Sequence, residues 1–183
     1  MLFVTKFNNI YSSDMVPLLS TTPENYKVSI FRLIEDDFDD IEFNDVIKTF
    51  FIMSDVRLIT PDLKTLSDGE IPIFDLARVS YRHLSKVVLS TVRLYLKYTQ
   101  EAHPVQVKQI HILNCTPIMD RIMGFMRPFM KTEVAKMINF HSAGFEKLHQ
   151  FVPKDILPQE YDGNAGPIEE MKKIWINRIE NHR

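Results

Sequence analysis

Four short apolar runs, separated by stretches long enough to hold helices, constrain this chain more than any other feature: KVSIFRLI (27–34), IPIFDL (71–76), VQVKQIHILN (105–114) and INFHS (138–142). Strands alternating with helix-length segments predict an α/β fold in which a mostly parallel β-sheet is flanked by helices. After Lys27 the first run is apolar on both faces, which puts Phe31 in the core. The third run is solidly apolar in its second half, as a central strand would be. Pro72 has no N–H and must sit at a strand start or an unpaired position.

The intervening segments carry helical spacing. Phe43, Val46, Ile47, Phe50 and Met53 open one helix, and Ile52, Val56 and Ile59 widen its apolar surface beyond a single stripe. A second helix is expected over about 84–101, with Leu84, Val87, Val88, Val92 and Tyr95 on one side. A third runs from Ile118 to Phe129 with a break at Pro128, a short one covers 132–138, and a final one carries Ile168, Met171, Trp175 and Ile179. The acidic run 35–40 and the segment 60–69 are expected as loops. Residues 1–25, punctuated by Pro17 and Pro23, are expected to be irregular, which leaves 26–183 as one folded domain.

Several function classes fall away. A formal charge of -2 lacks the dense basic field that non-specific nucleic-acid binding needs. A single cysteine, Cys115, forms no internal disulfide and suits a reducing compartment, so the protein is expected in the cytoplasm. No signal-peptide core opens the chain, and nowhere do about eighteen apolar residues run uninterrupted. Catalytic motifs are scarce: none of the five glycines builds a phosphate loop, no G-x-S-x-G elbow is present, and the six histidines include no H-E-x-x-H. Asp75, at a strand end, reads as a turn cap before a catalytic carboxylate. His111 reads as a hydrogen-bonded structural histidine before a general base, and Cys115 as a small buried residue before a nucleophile. His141 and His149 do not have the spacing of a metal pair. No catalysis, cofactor or metal is expected.

Methionine placement is the unusual feature. Five of the nine lie between 119 and 137, and Met119, Met123, Met126 and Met130 recur at spacings of four, three and four, along one helix face. Ile118, Ile122, Phe125 and Phe129 cover the adjoining face. Such a helix is either clamped in the core or laid over an apolar cavity as a lid, where flexible thioethers adapt to a greasy ligand. Gly124 and Pro128 loosen the same segment.

The runs GEIPIFDLARVSYRHL, QEAHPVQVKQIHILNCTP, FMRPFMKTEVAKMINFHS and LHQFVPKDILPQEYDGNAG, in this order, resemble the CRAL-TRIO lipid-binding domain over about residues 16–178. The look is that of insect alpha-tocopherol-transfer-protein-like members. The resemblance implies a hydrophobic pocket between sheet and helices, closed by a mobile gate helix. Ile47, Phe50, Ser54, Phe74, Tyr81, Val87, Tyr95, Tyr98 and Ile110 match pocket positions. Met119, Ile122, Met123, Phe125, Met126 and Phe129 match the gate. Three departures stand out. The helical domain that usually precedes this one is absent from the chain. Only Lys108 and Lys136 remain basic where phosphoinositide head groups are held, with Gln106, Glu133, Ala135 and Met137 at matching places. The usual Gly-Gly of the closing motif is Asp162-Gly163. The expected function is non-catalytic carriage of a tocopherol-, retinoid- or phospholipid-like molecule by a monomer that meets membranes transiently. The alternative is a degenerate module that serves as a protein-interaction surface.

Overall fold

The computed structural model of the protein describes residues 13–34, 42–59, 67–142 and 144–181. The opening segment to residue 12, the acidic run 35–40, residues 60–66 of the expected loop and the Ile59 and Ile179 side chains lie outside that description. One five-stranded sheet forms in the order β1-β2-β3-β4-β5. The strands are β1 (Ser13–Thr21), β2 (Tyr26–Leu33), β3 (Gly69–Asp75), β4 (Ile110–Leu113) and β5 (Ile138–Phe140). β2 through β5 are mutually parallel, whereas β1 folds back antiparallel on β2.

β1 corrects the expectation that residues 1–25 are irregular. Its Pro17 and Ser/Thr flanks look like loop chemistry, yet an edge strand tolerates proline, and Val16, Pro17 and Leu18 are buried. The turn into β2 places Asn25 at φ +62°, within the left-handed region that asparagine tolerates. Thr22 Oγ1 accepts from the Tyr26 amide at 3.2 Å.

β4 is shorter than the run 105–114 predicts. Val107 reaches β3 only through an isolated bridge to Glu70, and regular pairing resumes at Ile73 with His111. Pro72 explains the gap. The Glu70 amide donates to Gln106 and its carbonyl accepts from Lys108, so Glu70 presents its backbone toward β4. Two residues on, Pro72 presents the same edge but has no N–H to give.

The helices are α1 (Phe43–Ile59), α2 (Tyr81–Ser85), α3 (Leu89–Lys97), α4 (Ile118–Met126), α5 (Thr132–Ala135) and α6 (Ile168–Asn181). The single helix expected over 84–101 is split, so Val87 and Val88 fall in a link, and Val92 and Leu96 carry the buried face of α3. A π-helical turn, Tyr98–Ala102, follows α3, and a 3-10 turn, Arg127–Phe129, follows α4 at Pro128.

Strand order dictates which face each helix covers. Parallel crossovers are right-handed almost without exception. A sheet that steps steadily from β2 to β5 therefore carries its crossover helices α1, α3 and α4 on one face. The other face must be covered by the rest of the chain, and it is. Val28, Ile30, Ile71, Ile73 and Leu113 pack there against Leu148, Val152, Leu157, Tyr161, Ile168, Met171 and Trp175. Polar ties close this face: Trp175 Nε1 donates to the Pro17 carbonyl at 2.7 Å, and buried Asp14 pairs with Arg32 at 2.7 Å and Lys172 at 2.8 Å.

Asp75 is a hub of the same face. Its Oδ1 accepts from the Ala77 amide at 2.9 Å and Asn114 Nδ2 at 2.7 Å, and its Oδ2 accepts from the Tyr161 hydroxyl at 3.0 Å. Those bonds join the ends of β3 and β4 to the C-terminal segment. Asp162 takes φ +54° where the family's motif has glycine, and a Cβ on Gly163 would fall 2.0 Å from the Leu157 carbonyl oxygen. The second glycine of the motif is sterically required; the first is replaced by a residue that accepts the left-handed region.

Candidate functional site

Side chains alternate across a strand, and here the alternation separates a packed face from a cavity face. On β3, Ile71 and Ile73 point into the packed face, whereas Glu70, Pro72 and Phe74 point the other way. On β4, Leu113 packs while Ile110 and Ile112 turn with them. Met15 and Phe31 from β1 and β2 join the same side. Facing them are Phe43, Val46, Ile47 and Phe50 of α1, Val92, Tyr95 and Leu96 of α3, and Met119, Ile122, Met123 and Met126 of α4. Between the two lies an apolar cavity of about 640 Å³, within the ~300–1,000 Å³ usual for small-molecule sites.

Phe31 is therefore not the core residue its strand suggested. It stacks on Phe74 with centroids 4.9 Å apart and leans toward Phe50 at 6.0 Å. Tyr95 meets Phe50 edge-on at 4.9 Å. Of the residues matched to pocket and gate positions, Ile47, Phe50, Phe74, Tyr95, Ile110, Met119, Ile122, Met123 and Met126 share the cavity wall. Six lie off it. Ser54 is buried on α1, Val87 sits in the link before α3, and Phe125 and Phe129 are half-buried beside the wall. Tyr98 packs edge-on against Phe51, and Tyr81 is 61% exposed on α2. Met130, on the methionine stripe, also reaches the wall, while Met15, Phe31, Pro72, Ile112 and Glu70 are among the wall residues that were missed. Strict alternation along GEIPIFD was the available signal for Glu70 and Pro72.

Polar groups hold the cavity's edges. Gln100 Nε2 donates to the carbonyls of Leu96 at 2.8 Å and Phe129 at 3.0 Å, and its Oε1 accepts from the Lys131 amide at 2.7 Å. One side chain thus joins the end of α3 to the turn after α4. Lys108 donates to Gln106 at 2.8 Å and lies 5.6 Å above the Tyr26 ring, while Lys136 is exposed at the end of α5.

The histidines singled out in the sequence serve the packed face, whereas Cys115 packs with Ile112 and Met119 on the cavity side. Fully buried His111 donates from Nε2 to Gln109 Oε1 at 3.0 Å, and its Nδ1 lies 2.9 Å from His141 Nε2. Burial, then the neighbouring His141, lowers its pKa to about 4. Cys115 Sγ donates to the Ile112 carbonyl at 3.2 Å, and burial raises its thiol pKa. His149 bonds to the Tyr161 carbonyl. Among the described residues no cluster of three or more histidine, cysteine or carboxylate side chains could hold a metal, and no helix is long and apolar enough to cross a membrane.

The mixed sheet thus packs against the C-terminal segment on one face and borders an apolar cavity on the other. The chain matches the CRAL/TRIO domain over residues 11–163 and belongs to that family. It is similar to rat clavesin-1, 24% identical over 158 residues that cover 85% of this chain and 44% of the relative. Human clavesin-2 is 24% identical over 161 residues, 87% of this chain and 48% of the relative. The chain thus spans less than half the length of these curated relatives. The crystal structure of Sfh5 shares the fold with a TM-score of 0.57 at 14% identity, over 91% of this chain and 59% of that one. At the level of the family the function is lipid binding and transfer, without catalysis.

Proposed function

We propose that the domain carries one hydrophobic molecule of the tocopherol, retinoid or phospholipid class between the sheet and helices α1, α3 and α4. The supporting observation is the apolar cavity of about 640 Å³ with the methionine face of α4 on its wall. In this reading α4 is the gate, the protein works as a cytoplasmic monomer, and ligand exchange occurs during brief contact with a membrane. Lys108 and Lys136 would be the contacts for a phosphoinositide head group.

Extraction of the purified protein and mass spectrometry of the extract tests the carrier: a stoichiometric lipid is expected, and an empty extract with no uptake of added lipid would leave a protein-interaction module instead. The gate is tested at Gly124, where an added Cβ meets no atom within 4 Å. Gly124→Ala stiffens α4 by about 1 kcal/mol of helix propensity without entering the cavity. Transfer of a fluorescent lipid between liposomes should slow several-fold, and an unchanged rate would show that α4 does not move.

A further inference from the structure

Most polar side chains on the cavity wall are already engaged. Thr99 Oγ1 donates to the Tyr95 carbonyl at 3.0 Å, both ends of Gln100 are bonded, His103 Nδ1 lies 3.1 Å from the Val105 carbonyl, and Gln106 Oε1 receives Lys108. Glu70 and Tyr95 differ. Glu70 is 7% exposed and stands on the wall. Its Oε1 accepts from both Arg57 and Ser29, whereas among the described residues Oε2 has no hydrogen-bond partner. The Tyr95 hydroxyl likewise has none among them, although its ring is held edge-on by Phe50. Both stand on the wall of one cavity, and after burial the charge of Glu70 is the second cause that raises the Tyr95 phenol pKa. Tyr95 is therefore a protonated donor across the ordinary pH range.

An acceptor and a donor on one otherwise apolar wall together complement a hydroxyl. Resting on the reading of the cavity as a lipid site, we propose that Glu70 and Tyr95 seat the alcohol group of an uncharged lipid, which donates to Glu70 Oε2 and accepts from the Tyr95 hydroxyl. An anionic head group would meet the carboxylate oxygen first, because Arg57 is not on the wall and pairs with Glu70 from behind it. An ammonium gains little, because Arg57 already neutralises Glu70 and Lys27 adds a second cation nearby. Burying a charge without net compensation costs several kcal/mol, whereas a hydroxyl with both bonds made does not carry that penalty.

The experiment is displacement of diphenylhexatriene from the full chain at pH 8 by oleyl alcohol, oleic acid and oleylamine, which share one apolar chain. The alcohol should displace the probe at a concentration about tenfold lower than the acid or the amine, since a site built to bond a hydroxyl discriminates against analogues that lack it. Glu70→Gln, which leaves Arg57 and Lys27 uncompensated, should shift the preference toward the acid. Tyr95→Phe should narrow the lead of the alcohol several-fold, and it decides the matter alone if Glu70→Gln fails to fold. Equal displacement by all three head groups, or an unchanged ratio in the folded variants, overturns the seat while leaving the carrier intact. Failure of the wild-type protein to take up diphenylhexatriene overturns both.

Discussion

The two faces of this sheet are made by the same strands and differ in almost everything else. The packed face uses Val28, Ile30, Ile71, Ile73 and Leu113, all 0–1% exposed and met by the C-terminal segment. The cavity face uses Met15, Phe31, Phe74 and Ile110, half-buried because no protein atoms fill the space before them. Branched aliphatics with few rotamers suit the face that must be filled by the chain itself, and broad rings and thioethers suit the face that leaves room. Adjacent residues on one strand therefore meet a filled core on one side and an open cavity on the other.

Neighbouring substitutions should break that comparison most sharply. Ile73→Ala on the packed face should cost about 3 kcal/mol in denaturant unfolding, the usual range for a fully buried site. Phe74→Ala, one residue on, should cost about 1.5 kcal/mol while weakening uptake of an apolar probe; equal losses at both positions would mean the cavity face is as tightly packed as the other.

The packed face should also own the acid sensitivity. His111 has a folded pKa of about 4 against 6.5 for the unfolded chain. Above pH 6.5 both states are neutral. As pH falls from 6.5 to 4 the unfolded state takes the proton first, so stability declines, and below 4 the loss levels off. The total is on the order of 3 kcal/mol, measurable as a drop in Tm that His111→Asn should remove in part. Tyr161→Phe, which deletes the bond to Asp75, should cost about 1 kcal/mol. Asp162→Gly should be the smallest effect, a gain of roughly 0.5 kcal/mol from relief of the φ +54° conformation; a loss would show that the Asp162 side chain makes a contact that matters more.

Much of this was legible in the sequence because burial pattern and turn chemistry are local. The α/β class, the parallel strands, the apolar girth of α1 and the methionine face of α4 all followed from spacing. Pro72 announced an unpaired position, and β3 and β4 part there. What stayed hidden depends on contacts between distant segments. Nothing near Ser13–Thr21 says that α6 will cover it, so the strand looked like loop. Tyr81 and Val87 match pocket positions by resemblance, but Tyr81 is exposed on α2 and Val87 falls in the link after Ser85. The ion pair of Glu70 gave no local signal, because Arg57, thirteen residues earlier, meets it only in the folded protein.

The clasp between Trp175 and Pro17 joins residues 158 apart in the chain. Closing so long a loop costs little more at equilibrium than closing a shorter one, since the entropic penalty grows by only about 0.6 kcal/mol per doubling. In time it is different: contacts between remote segments form after local ones, so β1 and α6 should meet late in folding. Interactions that form after the rate-limiting step act on unfolding alone. Weakening the clasp should thus leave the rate of folding nearly constant and shorten the lifetime of the folded protein, which makes this far end of the chain the keeper of its persistence.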